Sequence, residues 1–138
     1  MYVGAHQRLC KSLLFLVLVA PTINDLLPRE QTVTQTMGAI FTCSATGRPR
    51  PTIQWYREIS GSRTLLPDGQ SNEIMSGTRE ISSILTIDLT SPSDAAEYVC
   101  VASNIVSVAE MTASLTVHGK VFYAHTYHTS DSCLLPLL

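Results

Sequence analysis

The sequence predicts an all-β fold, a two-sheet antiparallel sandwich of about seven short strands. Three observations predict it. Segments across residues 21–118 alternate apolar and polar side chains, which is the pattern of a half-buried strand. Turn-forming residues separate these segments at short intervals, and no segment shows the periodicity of an amphipathic helix.

The alternation assigns the residues that face the core, strand by strand. The predicted inward residues are Ala39, Phe41 and Cys43; Ile53 and Trp55; Leu85, Ile87 and Leu89; Tyr98, Cys100 and Ala102; and Ala113, Leu115 and Val117. Before Cys100, the residues Glu97 and Val99 are predicted to face outward. The glycine and prolines of 47–51, and turn signals around a short strand at 64–66, mark loops.

The first 20 residues form a leader with three alternative interpretations. His6, Arg8 and Lys11 precede an apolar run at 13–20, which is the layout of a secretory signal. Cleavage after Ala20 is disfavoured by the flanking Leu18 and Pro21, so a remnant strand of a preceding repeat and an uncleaved anchor stay open. The run is too short to span a bilayer, and no membrane span is predicted.

The tail at 119–138 lacks the alternation and is predicted to be poorly ordered, or to be the edge of a fragment of a longer protein. Its His125, His128 and Cys133 make a weak case for a metal site, and no metal site is predicted. Since Cys10 lies in the leader and Cys133 in the tail, Cys43 and Cys100 are the natural pair. No CxxC motif occurs, and a bond between these two would imply an oxidising compartment.

Composition and motifs exclude several classes of function. The net charge is −2 with interleaved signs, and no basic stripe with stacking aromatics supports nucleic-acid binding. No nucleophile elbow, phosphate loop or HExxH motif occurs. His118 is predicted to lie at the end of the last strand, far from the central cysteines, so no base is positioned for a nucleophile. The sequence therefore predicts a protein that is not an enzyme and needs no cofactor.

Three features now stand together: Cys43, Trp55 twelve residues later, and the stretch DAAEYVC that ends at Cys100. With GRPRPTIQWYR and CVASNIVSVAEMTASLTV, they resemble an immunoglobulin-like domain of the intermediate (I-set) type over residues 21–118. The resemblance implies a Cys43–Cys100 disulfide between the sheets with Trp55 packed on it. It also implies that the Tyr98 hydroxyl bonds a backbone group upstream, in a turn that contains Asp94.

The chain departs from the family pattern at several positions. Ala96 replaces a usual glycine, and Thr90 stands where an apolar residue is preferred. The turn at 104–107 has no glycine, so either Asn104 adopts positive φ or the hairpin is longer. Arg79 is the candidate for the arginine that pairs with Asp94 in the family.

The resemblance implies a non-catalytic, extracellular protein-binding module for cell adhesion or a receptor ectodomain, secreted or part of a longer membrane protein with neighbouring immunoglobulin-like domains. The alternative is a structural spacer repeat of a larger matrix or cytoskeletal protein. A minor hypothesis is an acidic glycan or acidic partner for Arg48, Arg50, Arg57 and Arg63. Arg48 and Arg50 are predicted to share a loop and Arg57 and Arg63 to flank another at the opposite end of the intervening strand, so the four are not predicted to form one patch.

Overall fold

The computed structural model describes residues 17–120, and these residues form two packed β-sheets. The leader up to residue 16 and the tail from residue 121, with the candidate ligands His125, His128 and Cys133, lie outside the described residues. The nine strands are β1 (Val19–Leu27), β2 (Glu30–Thr34), β3 (Ala39–Arg48), β4 (Thr52–Ile59), β5 (Ser62–Leu65), β6 (Ser71–Ser76), β7 (Glu80–Ile87), β8 (Ala96–Ser103) and β9 (Val108–His118).

One sheet has the strand order β1-β3-β7-β6, and the other has β2-β9-β8-β4-β5. The chain changes sheets between β1 and β2, where the Leu27–Pro28 peptide is cis. All neighbouring strands are antiparallel except β2 and β9, which run parallel with Glu30 opposite Ser114 and Thr34 opposite His118. This is the predicted two-sheet sandwich.

The sandwich has two ends, which we name by the chain direction. The amino end carries Val19 and the loops at 49–51, 77–79 and 104–107. The carboxyl end carries His118 and the segments 35–38, 60–61 and 88–95. At that end β4 and β5 are joined by a two-residue turn of Ser60 and Gly61, both with positive φ, as a tight hairpin requires.

The core lies between the sheets and contains most of the predicted inward residues. Its largest fully buried side chains include Phe41, Leu26 and Leu85, and the Phe41 ring stacks on Tyr98 with centroids 5.5 Å apart. Two assignments were wrong. Leu89 is 75% exposed because β7 ends at Ile87, and Val99 is 1% exposed although its alternation pointed outward.

The first strand begins before the predicted boundary of the domain. Residue 21 was expected to open it, but β1 already includes Val19, which pairs with Arg48 of β3. Thr90, where the family prefers an apolar side chain, is buried. Its hydroxyl donates a 2.8 Å hydrogen bond to the Met37 carbonyl, which satisfies the buried polar group.

Candidate binding surface at the amino end

Cys43 and Cys100 form a disulfide that joins β3 to β8 across the two sheets, with their Cα atoms 6.5 Å apart. Both residues are fully buried. Trp55 on β4 is buried in the same core, and its indole Nε1 donates a 2.9 Å hydrogen bond to Oγ of Ser83 on the opposite sheet. A buried disulfide offers no thiolate, so neither cysteine can act as a nucleophile in this state.

Tyr98 and Asp94 hold the turn before β8. The Tyr98 hydroxyl donates a 2.9 Å hydrogen bond to the Asp94 carbonyl, and burial raises the pKa of that phenol. The Asp94 carboxylate accepts hydrogen bonds from the Ser91 backbone N–H at 2.8 Å and from the Ser91 hydroxyl at 2.7 Å. The acid and the phenol therefore bond within the turn instead of facing a substrate.

The predicted pairing of Asp94 with Arg79 is wrong. Arg79 lies in the β6–β7 loop at the amino end, where its carbonyl accepts a hydrogen bond from the Gly47 N–H at 3.1 Å. Asp94 lies at the carboxyl end, so the two cannot meet. Arg57 takes the place beside the turn, where its guanidinium donates to the Ser93 carbonyl.

The outer face of the five-stranded sheet carries two ion pairs that share one arginine. Arg63 of β5 pairs with Glu58 at 3.1 Å and reaches across to Glu110 of β9 at 3.0 Å. Its guanidinium carbon lies 5.7 Å from the centre of the Tyr56 ring, and these hydrogen bonds, chiefly the one to Glu110, raise its pKa. Charges on this face are thus largely satisfied by one another.

Asn104 organises the loop between β8 and β9. Its carboxamide Nδ2 donates to the carbonyls of Val19 at 2.8 Å and Pro49 at 2.9 Å, and its Oδ1 accepts from the N–H of Val106 at 2.9 Å and of Ser107 at 3.3 Å. Asn104 does not adopt positive φ, so that alternative was wrong. The hairpin is instead a four-residue connection between Ser103 and Val108.

The loop presents apolar side chains to solvent. Ile105 is 76% exposed, Val106 43% and Val108 57%, and Val19 beside them is 47% exposed. We name Ile105, Val106 and Val108 the apolar tip. The apolar tip was not predicted, because alternation and the family pattern address the strands and the missing turn glycine and not the side chains that the loop exposes. The sequence did indicate it, because Ile105 and Val106 stand in a turn, where polar residues are usual.

The four arginines of the minor hypothesis are separated, as predicted. Arg48 and Arg50 lie at the amino end, Arg57 bonds the turn at the carboxyl end, and Arg63 is paired on the outer sheet face. Arg79 joins Arg48 and Arg50 instead, a neighbour that sequence spacing did not indicate.

Within residues 17–120, no group of three or more His, Cys, Asp or Glu side chains is placed to hold a metal ion. In the same part of the chain, no helix is long and apolar enough to cross a membrane.

The comparisons with known proteins agree with this architecture. Residues 20–104 match the family model described as immunoglobulin domain. Hemicentin-2 of Mus musculus is 36% identical over 100 residues, which cover 72% of this chain and 2% of the relative. The chain therefore spans only a small part of that protein's length. The match is to immunoglobulin domains in general, and the I-set subtype stays a prediction.

Two solved structures show the same fold. The first eight immunoglobulin domains of Down Syndrome Cell Adhesion Molecule match with a TM-score of 0.64 and 28% identity, over 74% of this chain and 13% of that one. The titin domains Z1Z2 in complex with telethonin match with a TM-score of 0.60 and 26% identity, over 76% of this chain and 50% of that one.

Proposed function

The chain belongs to the immunoglobulin domain family, and we propose that it is a non-catalytic, extracellular protein-binding module of the cell-adhesion or receptor-ectodomain kind. The similarity to a structure named as a cell adhesion molecule supports this assignment. The buried disulfide supports an oxidising compartment. Because the fold hosts many functions, the proposal depends on a surface rather than on the family.

The observation that carries the proposal is the apolar tip. Two aliphatic side chains of the 104–107 loop and a third at the first residue of β9 stand exposed, and exposed apolar groups at a fixed position are typical of a contact surface for another protein. Asn104 fixes the loop through hydrogen bonds to β1, to the loop at 49–51 and to the tip itself. A loop that is already ordered loses little conformational entropy when it binds.

A spacer repeat of a larger protein is the second candidate. The chain covers 2% of hemicentin-2, so its relatives contain far more than one such domain's length. In a tandem array the amino end would face the preceding domain, and the apolar tip would be buried against it. Both candidates bury the tip, but only the first requires a partner outside the chain.

Cell attachment tests the binding proposal. The full chain is coated on a surface, and the attachment of cultured cells is compared with that of Ile105→Ser/Val106→Ser, which makes the tip polar. The matched control is Met37→Ser/Leu89→Ser, because these two side chains are also exposed but lie in the segments 35–38 and 88–95 at the carboxyl end.

We expect attachment to the original chain and to the control, and loss of attachment to the tip variant. Equal thermal unfolding of the three proteins shows that folding is retained. No attachment to any of them would contradict the binding proposal and favour the spacer.

Export tests the extracellular part independently. The full chain is expressed in animal cells, and the medium and the cytosol are assayed by intact mass with and without reductant. We expect the chain in the medium, with a gain of two hydrogen atoms on reduction from the Cys43–Cys100 bond. A chain retained in the cytosol with reduced cysteines would support the cytoskeletal form of the spacer instead.

A further inference from the structure

Three arginines line a shallow trough at the amino end. A depression of about 450 Å³ is lined by Arg48, Pro49, Arg50, Thr78 and Arg79. A second depression of about 330 Å³ is lined by Val19, Thr22, Thr46, Gly47, Arg48 and Arg79. Arg48 and Arg79 line both depressions, so the two adjoin along these side chains. We call the two depressions together the trough; both are open to solvent rather than enclosed.

The backbone holds these arginines at fixed positions. Arg48 ends β3 and pairs with Val19, while the Arg79 carbonyl accepts the 3.1 Å hydrogen bond from Gly47. Arg50 donates from Nη1 to the Gly77 carbonyl at 3.3 Å, which joins the loop at 49–51 to the loop at 77–79. A Cβ on Gly47 would lie 3.1 Å from Pro51 and 3.2 Å from Asn104, so this corner is tightly packed.

The charge of the trough is not neutralised within the described chain. The ion pairs of residues 17–120 join Arg63 to Glu58 and Glu110, and Arg48, Arg50 and Arg79 take part in none. The nearest acid in sequence is Glu80, the residue after Arg79. One carboxylate beside three arginines leaves the trough with an excess of positive charge. Since the whole chain has a net charge of −2, any attraction for polyanions must come from such a local cluster.

The lining favours a sulfated polysaccharide over a protein partner. An arginine guanidinium presents a planar fork of donors that matches the oxygens of a sulfate or a carboxylate. The hydroxyls of Thr22 and Thr78 add neutral donors that suit the polar groups of a sugar chain. The trough lacks the buried aromatic anchors that dominate protein contacts. Because both depressions are open to solvent, a linear sugar chain can lie across them without entering an enclosed pocket.

We infer that Arg48, Arg50 and Arg79 form a binding site for a sulfated glycosaminoglycan. The site is distinct from the apolar tip and adds a second ligand to the proposed function; it rests on that function only for the extracellular location. Binding is electrostatic and weakens as salt screens the charges.

Heparin chromatography of the full chain tests the site. The test variant is Arg48→Ser/Arg50→Ser/Arg79→Ser. The matched control is Arg29→Ser/Arg63→Ser/Lys120→Ser, which removes the same charge from exposed residues elsewhere. We expect the original chain and the control to be retained and to elute at similar salt, and the test variant to pass through. Thermal unfolding of each protein checks that it is folded.

Two outcomes would overturn the inference: an original chain that passes through the heparin column, and a control that loses retention as much as the test variant. Competition separates the ligand classes. Soluble heparin should elute the bound chain, whereas fully desulfated heparin and a polyglutamate peptide at equal charge should not. Elution by polyglutamate would assign the site to acidic proteins instead. Cell attachment by the test variant reports separately on the apolar tip, so failure of one proposal leaves the other measurable.

Discussion

Trp55 and Ser83 form a hydrogen bond that connects the two sheets inside the core. The indole Nε1 lies 2.9 Å from the serine Oγ, and the two residues belong to β4 and β7. Ser83 is fully buried, so no solvent can replace it as acceptor. This bond lets a tryptophan fill the core without leaving its N–H unsatisfied.

Ser83→Ala should therefore destabilise the domain by about 1–3 kcal/mol, because the indole N–H stays buried without a partner. Urea unfolding followed by the fluorescence of Trp55, the only tryptophan, measures this change. Ser82→Ala, one residue away and on the other face of β7, is the control and should change the free energy of unfolding by less than about 0.5 kcal/mol. Equal effects of the two substitutions would show that the bond contributes nothing.

Loss of the disulfide should lower the free energy of unfolding more than Ser83→Ala does. It closes a loop with a sequence separation of 57 residues, so the chain-entropy model gives about 4 kcal/mol of stabilisation. Cys43→Ala/Cys100→Ala should lose about this free energy of unfolding in a denaturant titration. Reductant added to the original chain should lower its stability similarly while leaving the variant unchanged. A variant that unfolds at the same denaturant concentration as the original chain would contradict the assignment.

Tyr98 predicts a loss of stability at alkaline pH. Burial raises the pKa of its phenol in the folded state above the ordinary value of about 10. Below about pH 10, the ordinary pKa of a free tyrosine, both the folded and the unfolded state hold the proton, so ionisation of Tyr98 does not lower the free energy of unfolding. As pH rises past that value, the unfolded state releases the proton first, and stability falls until the pH passes the folded-state pKa.

Tyr98→Phe removes this ionisation together with the hydrogen bond to Asp94. At neutral pH it should cost about 0.5–1.5 kcal/mol. The difference in unfolding free energy between the two proteins should then shrink above about pH 10. Urea titrations at a series of pH values measure it, and a difference that stays constant into the alkaline range would contradict the expected ionisation.

Asn104 predicts a local effect on hydrogen exchange. In Asn104→Ala the N–H groups of Val106 and Ser107 lose their acceptor, and the Val19 and Pro49 carbonyls lose a donor. Amide exchange at 106–107 should accelerate while the protection of β8 stays unchanged. Asn72→Ala, on the exposed strand β6, is the control. Unchanged exchange at 106–107 would mean that the loop holds its shape without the carboxamide.

The alternation of the sequence predicted those parts of the fold that depend on neighbours along the chain. Phe41 and Trp55 were placed correctly because each lies within a strand buried on one face only. Val99 was misplaced because its burial comes from other strands: Tyr56 of β4 and Thr112 of β9 lie opposite it on the same face. Strand β6 gave no pattern because its side chains are nearly all exposed.

The candidate site was less predictable than the fold. The grouping of Arg79 with Arg48 and Arg50 depends on a three-residue hairpin loop that folds back beside β3, and no local pattern encodes this contact. The role of Asn104 is similar, since its side chain joins three segments that are far apart in sequence. The sequence of the turn predicted that Asn104 is important, but its hydrogen-bond partners are known only from the way the loops pack at the amino end.

The parallel pairing of β2 with β9 determines how the domain would carry tension. Force applied at Val19 and His118 would draw β2 towards the amino end and β9 towards the carboxyl end, because both strands run in the same direction. The hydrogen bonds from Glu30–Ser114 to Thr34–His118 would then be loaded together in shear, rather than opened one after another. A domain of this geometry resists pulling along its long axis whether it transmits adhesion or only separates its neighbours.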